Sequence, residues 1–224
     1  MTVNKLEYFL ENGYIHHWLV AGPQAIPILK QDTQAGGINA NIVVQPDSDQ
    51  QFIFTDEPVE RAYLDLRGDR LRWIYRNCHV ADHLVDVSFT SLQESRQCVW
   101  LYTRIKPNQK WETTFEFSTH HGVEVWLNGI LLISQPDPIG VDRQIWLTSG
   151  VLENRENDLL IRLTWVGAGE GFVDLSCRLV NFPESVSDKD VTILIPTLAH
   201  RPARYQRLER LLEYAYLEQV VNHR

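Results

Sequence analysis

The clearest indication of the fold comes from residues 119–129, Thr119-His-His-Gly-Val-Glu-Val-Trp-Leu-Asn-Gly129. Its centre, residues 123–127, reads as a β-strand in which Trp126 faces away from Val123 and Val125. Asn-Gly then gives the strongest short signal for a two-residue hairpin turn, because both turn positions need positive φ. Residues 131–134 are then expected to form a second strand, antiparallel to the first. The stretch therefore predicts a β-hairpin.

The same short-strand pattern runs through most of the chain. Alternation is clearest in residues 111–117, where Trp111 and Phe115 share one face and Glu112 lies on the other. Other short segments, rich in β-branched or aromatic residues and separated by turn residues, are 14–20, 51–55, 72–75, 84–89, 98–105, 131–134, 143–147, 158–166, 172–180 and 191–195. No amphipathic helical pattern separates them. This arrangement predicts an all-β fold, an antiparallel β-sandwich or jelly roll.

The composition changes after residue 182. Between residues 202 and 222 the apolar spacing becomes helical, with Leu208 and Leu212 on one face and a second apolar stripe on another. We expect residues 1–182 to form one β-sandwich. Residues 183–224 are expected to supply a linker, a short strand and a C-terminal α-helix. That helix either joins a further domain or folds back on the sandwich.

The overall composition excludes several classes of function. The formal net charge is −8, whereas nucleic acids and anionic membranes attract proteins with an excess of Lys and Arg. The sequence has neither a membrane-spanning apolar run nor the pattern of a signal peptide. The three cysteines are widely spaced, which favours neither a disulfide framework nor a metal knuckle. We expect a cytoplasmic chain, unless it was cut from a longer exported protein, with no nucleic-acid or membrane partner and no cofactor.

Several segments, taken together, carry a resemblance to a known family. They are residues 15–23, 71–73, 85–87, 98–105, 121–129, 156–163 and 171–175. In this order they resemble the strands of galactose-binding-like jelly-roll domains, which are appended to glycoside hydrolases and to large bacterial multidomain proteins. The resemblance covers roughly residues 14–181. It implies the jelly-roll fold but no particular ligand, because such domains host many functions.

Aromatic side chains are the main candidates for ligand binding. Sugars stack on aromatic faces while neighbouring polar groups bond their hydroxyls. We expect Trp126 and Trp165 to be exposed and to bind a carbohydrate. Asn128, His120 and His121 are predicted to be their hydrogen-bonding neighbours.

A metal site is not expected at this hairpin. Where the family often carries Ser-Asp-Asp-Gly, this chain has Thr-His-His-Gly at 119–122. Acidic oxygens would suit Ca²⁺, whereas imidazoles prefer Zn, Cu or Ni. Adjacent histidines on a strand point to opposite faces, so this pair, like His16 and His17, could chelate one ion only if the chain bends.

The sequence offers little for catalysis. Motifs for a serine nucleophile, a zinc protease or a phosphate loop are absent, and the glycine-rich residues 167–171 join two strands with no helix after them. Glu112, Glu116 and Glu124 could form a glycosidase-like carboxylate pair. Acids that alternate along an antiparallel strand are, however, usually its solvated face.

We therefore expect a protein that is not an enzyme: a non-catalytic carbohydrate-binding accessory module, the N-terminal part of a larger protein. Two alternatives stay open. One is a structural or protein-interaction cap domain with no small ligand, which contacts its next domain or a partner through residues 202–222. The other is a small glycoside-acting hydrolase.

Overall fold

The computed structural model describes residues 3–26, 57–66, 69–78, 82–87, 90–136, 142–170 and 173–198. Their regular structure is almost entirely β. The strands are β1 (Asn4–Phe9), β2 (His17–Ile26), β3 (Tyr63–Leu66), β4 (Asp69–Arg72), β5 (Ile74–Asn77), β6 (Val85–Asp86), β7 (Thr90–Pro107), β8 (Trp111–Thr119), β9 (Gly122–Leu127), β10 (Ile130–Gln135), β11 (Gln144–Leu152), β12 (Asn157–Glu170), β13 (Asp174–Val180) and β14 (Val191–Thr197). The predicted all-β class is confirmed. The predicted strand at 51–55 and the predicted helix at 202–222 lie outside the described residues.

Two antiparallel sheets face each other. The larger has the order β1-β14-β7-β12-β9-β10, and β2 pairs with both β7 and β5. The smaller has the order β11-β8-β13-β6, while β3 and β4 form a separate hairpin. Every strand pairing among these elements is antiparallel. The arrangement is a β-sandwich.

The Asn-Gly hairpin forms as the sequence predicts. Asn128 has φ 52° and Gly129 has φ 80°, and the turn joins β9 to β10. The Asn128 amide nitrogen Nδ2 donates to Asn157 Oδ1 at 3.0 Å, and its Oδ1 accepts from the Asp158 N–H at 2.9 Å. The side chain thus ties the turn to the beginning of β12.

The core lies between the two sheets. Alternate residues of facing strands meet there, among them Phe115 and Phe117 from β8 and Val123 and Val125 from β9, all fully buried. These aromatic and β-branched residues fit a pleated surface, and their burial removes apolar area from water.

A second apolar cluster covers the opposite face of the larger sheet. Trp100, Tyr102 and Trp126 point into it, and Leu64 and Trp73 lie over them. The central strands of this sheet are therefore buried on both faces. An antiparallel strand usually has one solvated face, which is why the alternation in β9 suggested an exposed tryptophan.

The last described strand lies inside the larger sheet. β14 pairs with β1 on one side and with β7 on the other. Its fully buried residues Ile193 and Ile195 belong to the core between the sheets and to the outer cluster, respectively. The predicted apolar strand at 191–195 is confirmed, and it joins the sheet formed by the preceding residues.

Candidate functional site

The best candidate site lies at one end of the sandwich, where the β8–β9 turn meets the beginnings of β11 and β13. We call it the histidine end and define it as His120, His121, Arg143, Trp165 and Asp174. Thr119 closes the turn, because its hydroxyl donates to the Asp174 carbonyl at 2.8 Å and accepts the His121 N–H at 3.2 Å.

Asp174 anchors this end. Its side chain is fully buried, and a buried carboxylate is tolerated only with a charged or hydrogen-bonded partner. Arg143 is that partner: its Nη2 donates to Asp174 Oδ2, and its Nη1 donates to the Ser118 carbonyl at 3.3 Å. The guanidinium, only partly exposed, is therefore held in one orientation at the surface.

Two imidazoles complete the polar surface. His120 Nδ1 lies 3.5 Å from Asp174 Oδ1, and the His120 side chain is 38% exposed. His121 lies edge-on to Trp165, with ring centroids 6.2 Å apart. The β9–β12 register causes this contact, since it sets Thr164 opposite Gly122. The structure thus brings together three of the predicted site residues: His120, His121 and Trp165.

The predicted exposure of the two tryptophans is wrong. Trp126 is only 4% exposed and Trp165 only 8%. Trp126 lies in the apolar cluster on the outer face of the larger sheet, 6.1 Å from Trp100 between ring centroids. Neither indole face is open as a platform for a sugar ring, so any role of Trp165 in binding is limited to the edge that borders His121.

Asn128 lies away from the histidine end. It follows the last residue of β9, whereas His121 precedes the first, and a strand of six residues spans roughly 20 Å. Both its amide atoms are already used to fix the hairpin turn. Its predicted part in binding would require a second site.

The three candidate carboxylates do not meet. Glu112 and Glu116 lie on the solvent side of β8 in the smaller sheet. Glu124 is buried on the outer face of the larger sheet, where it forms an ion pair with Arg162. Arg162 in turn lies over the rings of Trp100 and Trp126. Glu124 was expected on a solvated face; this is wrong because the second apolar cluster covers it.

Sequence reasoning missed a second cluster of titratable groups. His16 Nε2 and His83 Nδ1 share a hydrogen bond of 2.8 Å, and His16 Nδ1 lies 3.6 Å from Glu11 Oε2. Tyr14 stacks on His83 with ring centroids 3.9 Å apart. Burial lowers the pKa of His16; Glu11 opposes that shift and His83 adds to it. No sequence signal links these residues, because His83 is brought close only by the fold.

Metal and membrane features are also absent from the described residues. Within them, no three His, Cys, Asp or Glu side chains are grouped so as to hold a metal ion. None of the helical structure there is long and apolar enough to cross a membrane.

Comparisons with known proteins define the class only coarsely. No model of a known protein family matches the chain, and no curated protein matches it. A β-glucosidase from Kluyveromyces marxianus, in complex with glucose, is 13% identical with a TM-score of 0.37, over 76% of this chain and 16% of that one. A family 35 carbohydrate binding module from Clostridium thermocellum is 7% identical with a TM-score of 0.29, over 42% of this chain and 87% of that one.

A GH31 α-xylosidase from Xanthomonas citri is 14% identical with a TM-score of 0.32, over 55% of this chain and 14% of that one. The chain thus spans only a small part of the two enzymes' lengths. At these identities and TM-scores the similarity extends no further than a coarse β-sandwich.

Proposed function

We propose that this chain is a non-catalytic carbohydrate-binding accessory module and that it binds its ligand at the histidine end. One observation carries the proposal: two partly exposed imidazoles converge beside a guanidinium that a buried carboxylate holds in place. Imidazoles can donate and accept hydrogen bonds, and the guanidinium offers several donors. Sugar hydroxyls need this mixture of partners.

The same geometry sets the expected strength of binding. Without an open aromatic face, the ligand gains hydrogen bonds but little apolar contact. Hydrogen bonds exchanged with water contribute only modestly. We therefore expect a Kd of roughly 0.1–1 mM for a short oligosaccharide.

The test is a screen of neutral and acidic oligosaccharides by microcalorimetry and NMR, at protein concentrations suited to weak binding. The variants are His120→Asn and His121→Asn, and the control is His83→Asn. His83 has φ 59°, a conformation that Asn accepts readily. We expect at least tenfold weaker binding in the two test variants and unchanged binding in the control. No binding by folded wild-type protein, or equal binding by all variants, would refute the proposal.

A second candidate function is a protein-interaction domain with no small ligand. The observation that favours it is the exposed apolar face of β11, where Ile145 and Leu147 are the most exposed residues. Residues 202–222, whose sequence has two apolar stripes, would be a further contact to a neighbouring domain in this case.

A further inference from the structure

β11 is the outermost strand of the smaller sheet. It has nine residues, all of which pair with β8 without a shift in register. Among the described residues, no strand pairs with its other edge. That edge therefore presents backbone N–H and C=O groups along an uninterrupted strand.

Nothing in the sequence of β11 protects this edge. Proteins usually block an exposed edge with a charged residue, a proline or a β-bulge. β11 reads Gln-Ile-Trp-Leu-Thr-Ser-Gly-Val-Leu and has neither a charge nor a proline. Its regular register with β8 shows no bulge.

The outward face of β11 is also apolar. Ile145, Leu147 and Val151 are 65%, 64% and 42% exposed, and only Ser149 interrupts them. The strand thus combines an unpaired edge with an apolar stripe beside it, and pairing with another strand would satisfy the edge and cover the stripe.

We propose that the occupant of this edge is β11 of a second copy of the chain, paired antiparallel about a two-fold axis. Self-complementarity is the reason for choosing a second copy, because a two-fold pairing sets the uncharged, largely apolar residues of β11 against one another. Each copy carries a net charge of −8, so two copies repel, and the short-range repulsion is smallest where uncharged residues meet. A symmetric pairing would set any charge on the strand close to its own duplicate, and β11 has none.

Symmetry also fixes the register. An antiparallel pairing that uses all nine residues has its axis at Thr148, the central residue of Gln144–Leu152. Ile145 then lies opposite Val151 of the second copy, and Leu147 lies opposite Ser149. The two four-stranded sheets become one continuous sheet with an apolar stripe across the junction.

This inference deepens the second candidate function and does not depend on the carbohydrate site. Sedimentation equilibrium of the full chain between about 1 and 300 µM tests it. We expect a reversible dimer, and an at least tenfold weaker dimer for Ile145→Lys. The control is Ile74→Lys, the same change at an exposed residue of β5, which should leave the dimer intact. Failure of glycan binding leaves these outcomes unchanged.

Two further measurements test the geometry. Directly opposite residues in an antiparallel pair have Cα atoms about 4.5–5.5 Å apart, which suits a disulfide. Thr148→Cys should therefore form an intermolecular disulfide, while Thr114→Cys on the neighbouring strand β8 should not. The three native cysteines are buried, so they should not interfere. Added salt should strengthen the dimer, because it screens the repulsion between two acidic copies.

Three results would overturn the inference. They are a monomer throughout the concentration range, equal effects of Ile145→Lys and Ile74→Lys, and a dimer that weakens as salt is added. If the chain stayed monomeric, a strand of a different protein would be the remaining candidate for pairing with the β11 edge.

Discussion

At the scale of single residues, the buried ion pair between Glu124 and Arg162 should be sensitive to substitution. Both side chains lie on the outer face of the larger sheet, mostly shielded from water. Breaking a buried pair leaves one charge without its partner and costs about 3–5 kcal/mol, whereas replacing both groups by apolar ones is often nearly neutral.

We therefore expect Glu124→Met to lower the free energy of unfolding by about 3 kcal/mol, and the double variant Glu124→Met with Arg162→Met to recover most of that loss. Urea denaturation measures both. The control is Lys110→Ala, which removes an exposed ion pair with Glu153 and should cost less than about 1 kcal/mol. A double variant less stable than the single one would contradict this reading.

His17 makes the stability depend on pH. Tyr8 stacks on its ring with centroids 3.6 Å apart, and Nδ1 bonds the Tyr75 hydroxyl at 2.7 Å. Burial, with a smaller contribution from His16, lowers the pKa of His17 from 6.5 to about 3. Between these two pH values His17 is therefore protonated in the unfolded chain but not in the folded protein. The free energy of unfolding falls as the pH drops through this window.

His17 alone is expected to lower the free energy of unfolding by about 1 kcal/mol for each pH unit below 6.5. Denaturation at a series of pH values should show a shallower slope in His17→Gln than in the wild type. Equal slopes in the two proteins would rule out the proposed role of His17.

At the scale of elements, local sequence predicted the hairpin well because its signal is local. Asn128-Gly129 sets the turn by its backbone alone, and the flanking strands follow. By contrast, the N-terminal strand β1 mixes apolar and charged residues, and only its pairing with β14 makes it a strand. The sequence likewise gives no sign that β7 extends back to Thr90, because that extension depends on pairing with β12.

The histidine end also combines residues with a local sequence signal and residues that only the fold brings together. His120 and His121 could be selected from sequence because they replace an expected acidic pair. Arg143 and Asp174 could not, because their pairing depends on the distance between β11 and β13 in the folded sheet. The burial of Trp126 was mispredicted for a similar reason: alternation shows which face a residue takes but not whether another layer covers that face.

The role of Asn128 can be tested at this scale. Its side chain fixes the β9–β10 turn to β12. Asn128→Gly keeps the positive φ but removes these bonds, and we expect it to lower the free energy of unfolding by about 1 kcal/mol. Asn128→Ala adds backbone strain and should cost more. Glycan binding should be unchanged in both variants. Loss of binding in a folded variant would show that Asn128 contributes to the binding site.

At the scale of the whole molecule, the position of β14 decides which part of the chain folds as a unit. β14 is the only described strand that links β1 to the rest of the larger sheet. Its residues Val191 and Ile193 lie in the core between the sheets, and Ile195 lies in the outer cluster. Removing it would expose both clusters and detach β1.

A chain ended at residue 182 is therefore expected not to reach the native fold, although it keeps the segments that resemble a jelly roll. A chain ended at residue 198 keeps all fourteen described strands and is expected to fold. The loss in the shorter chain should be large, because burying a single Leu or Ile side chain contributes about 2 kcal/mol and β14 contributes several. Near-ultraviolet circular dichroism and the cooperativity of thermal unfolding distinguish the two chains. A cooperative transition in the shorter chain would mean that the sandwich is complete by residue 182 and that β14 is an addition to it.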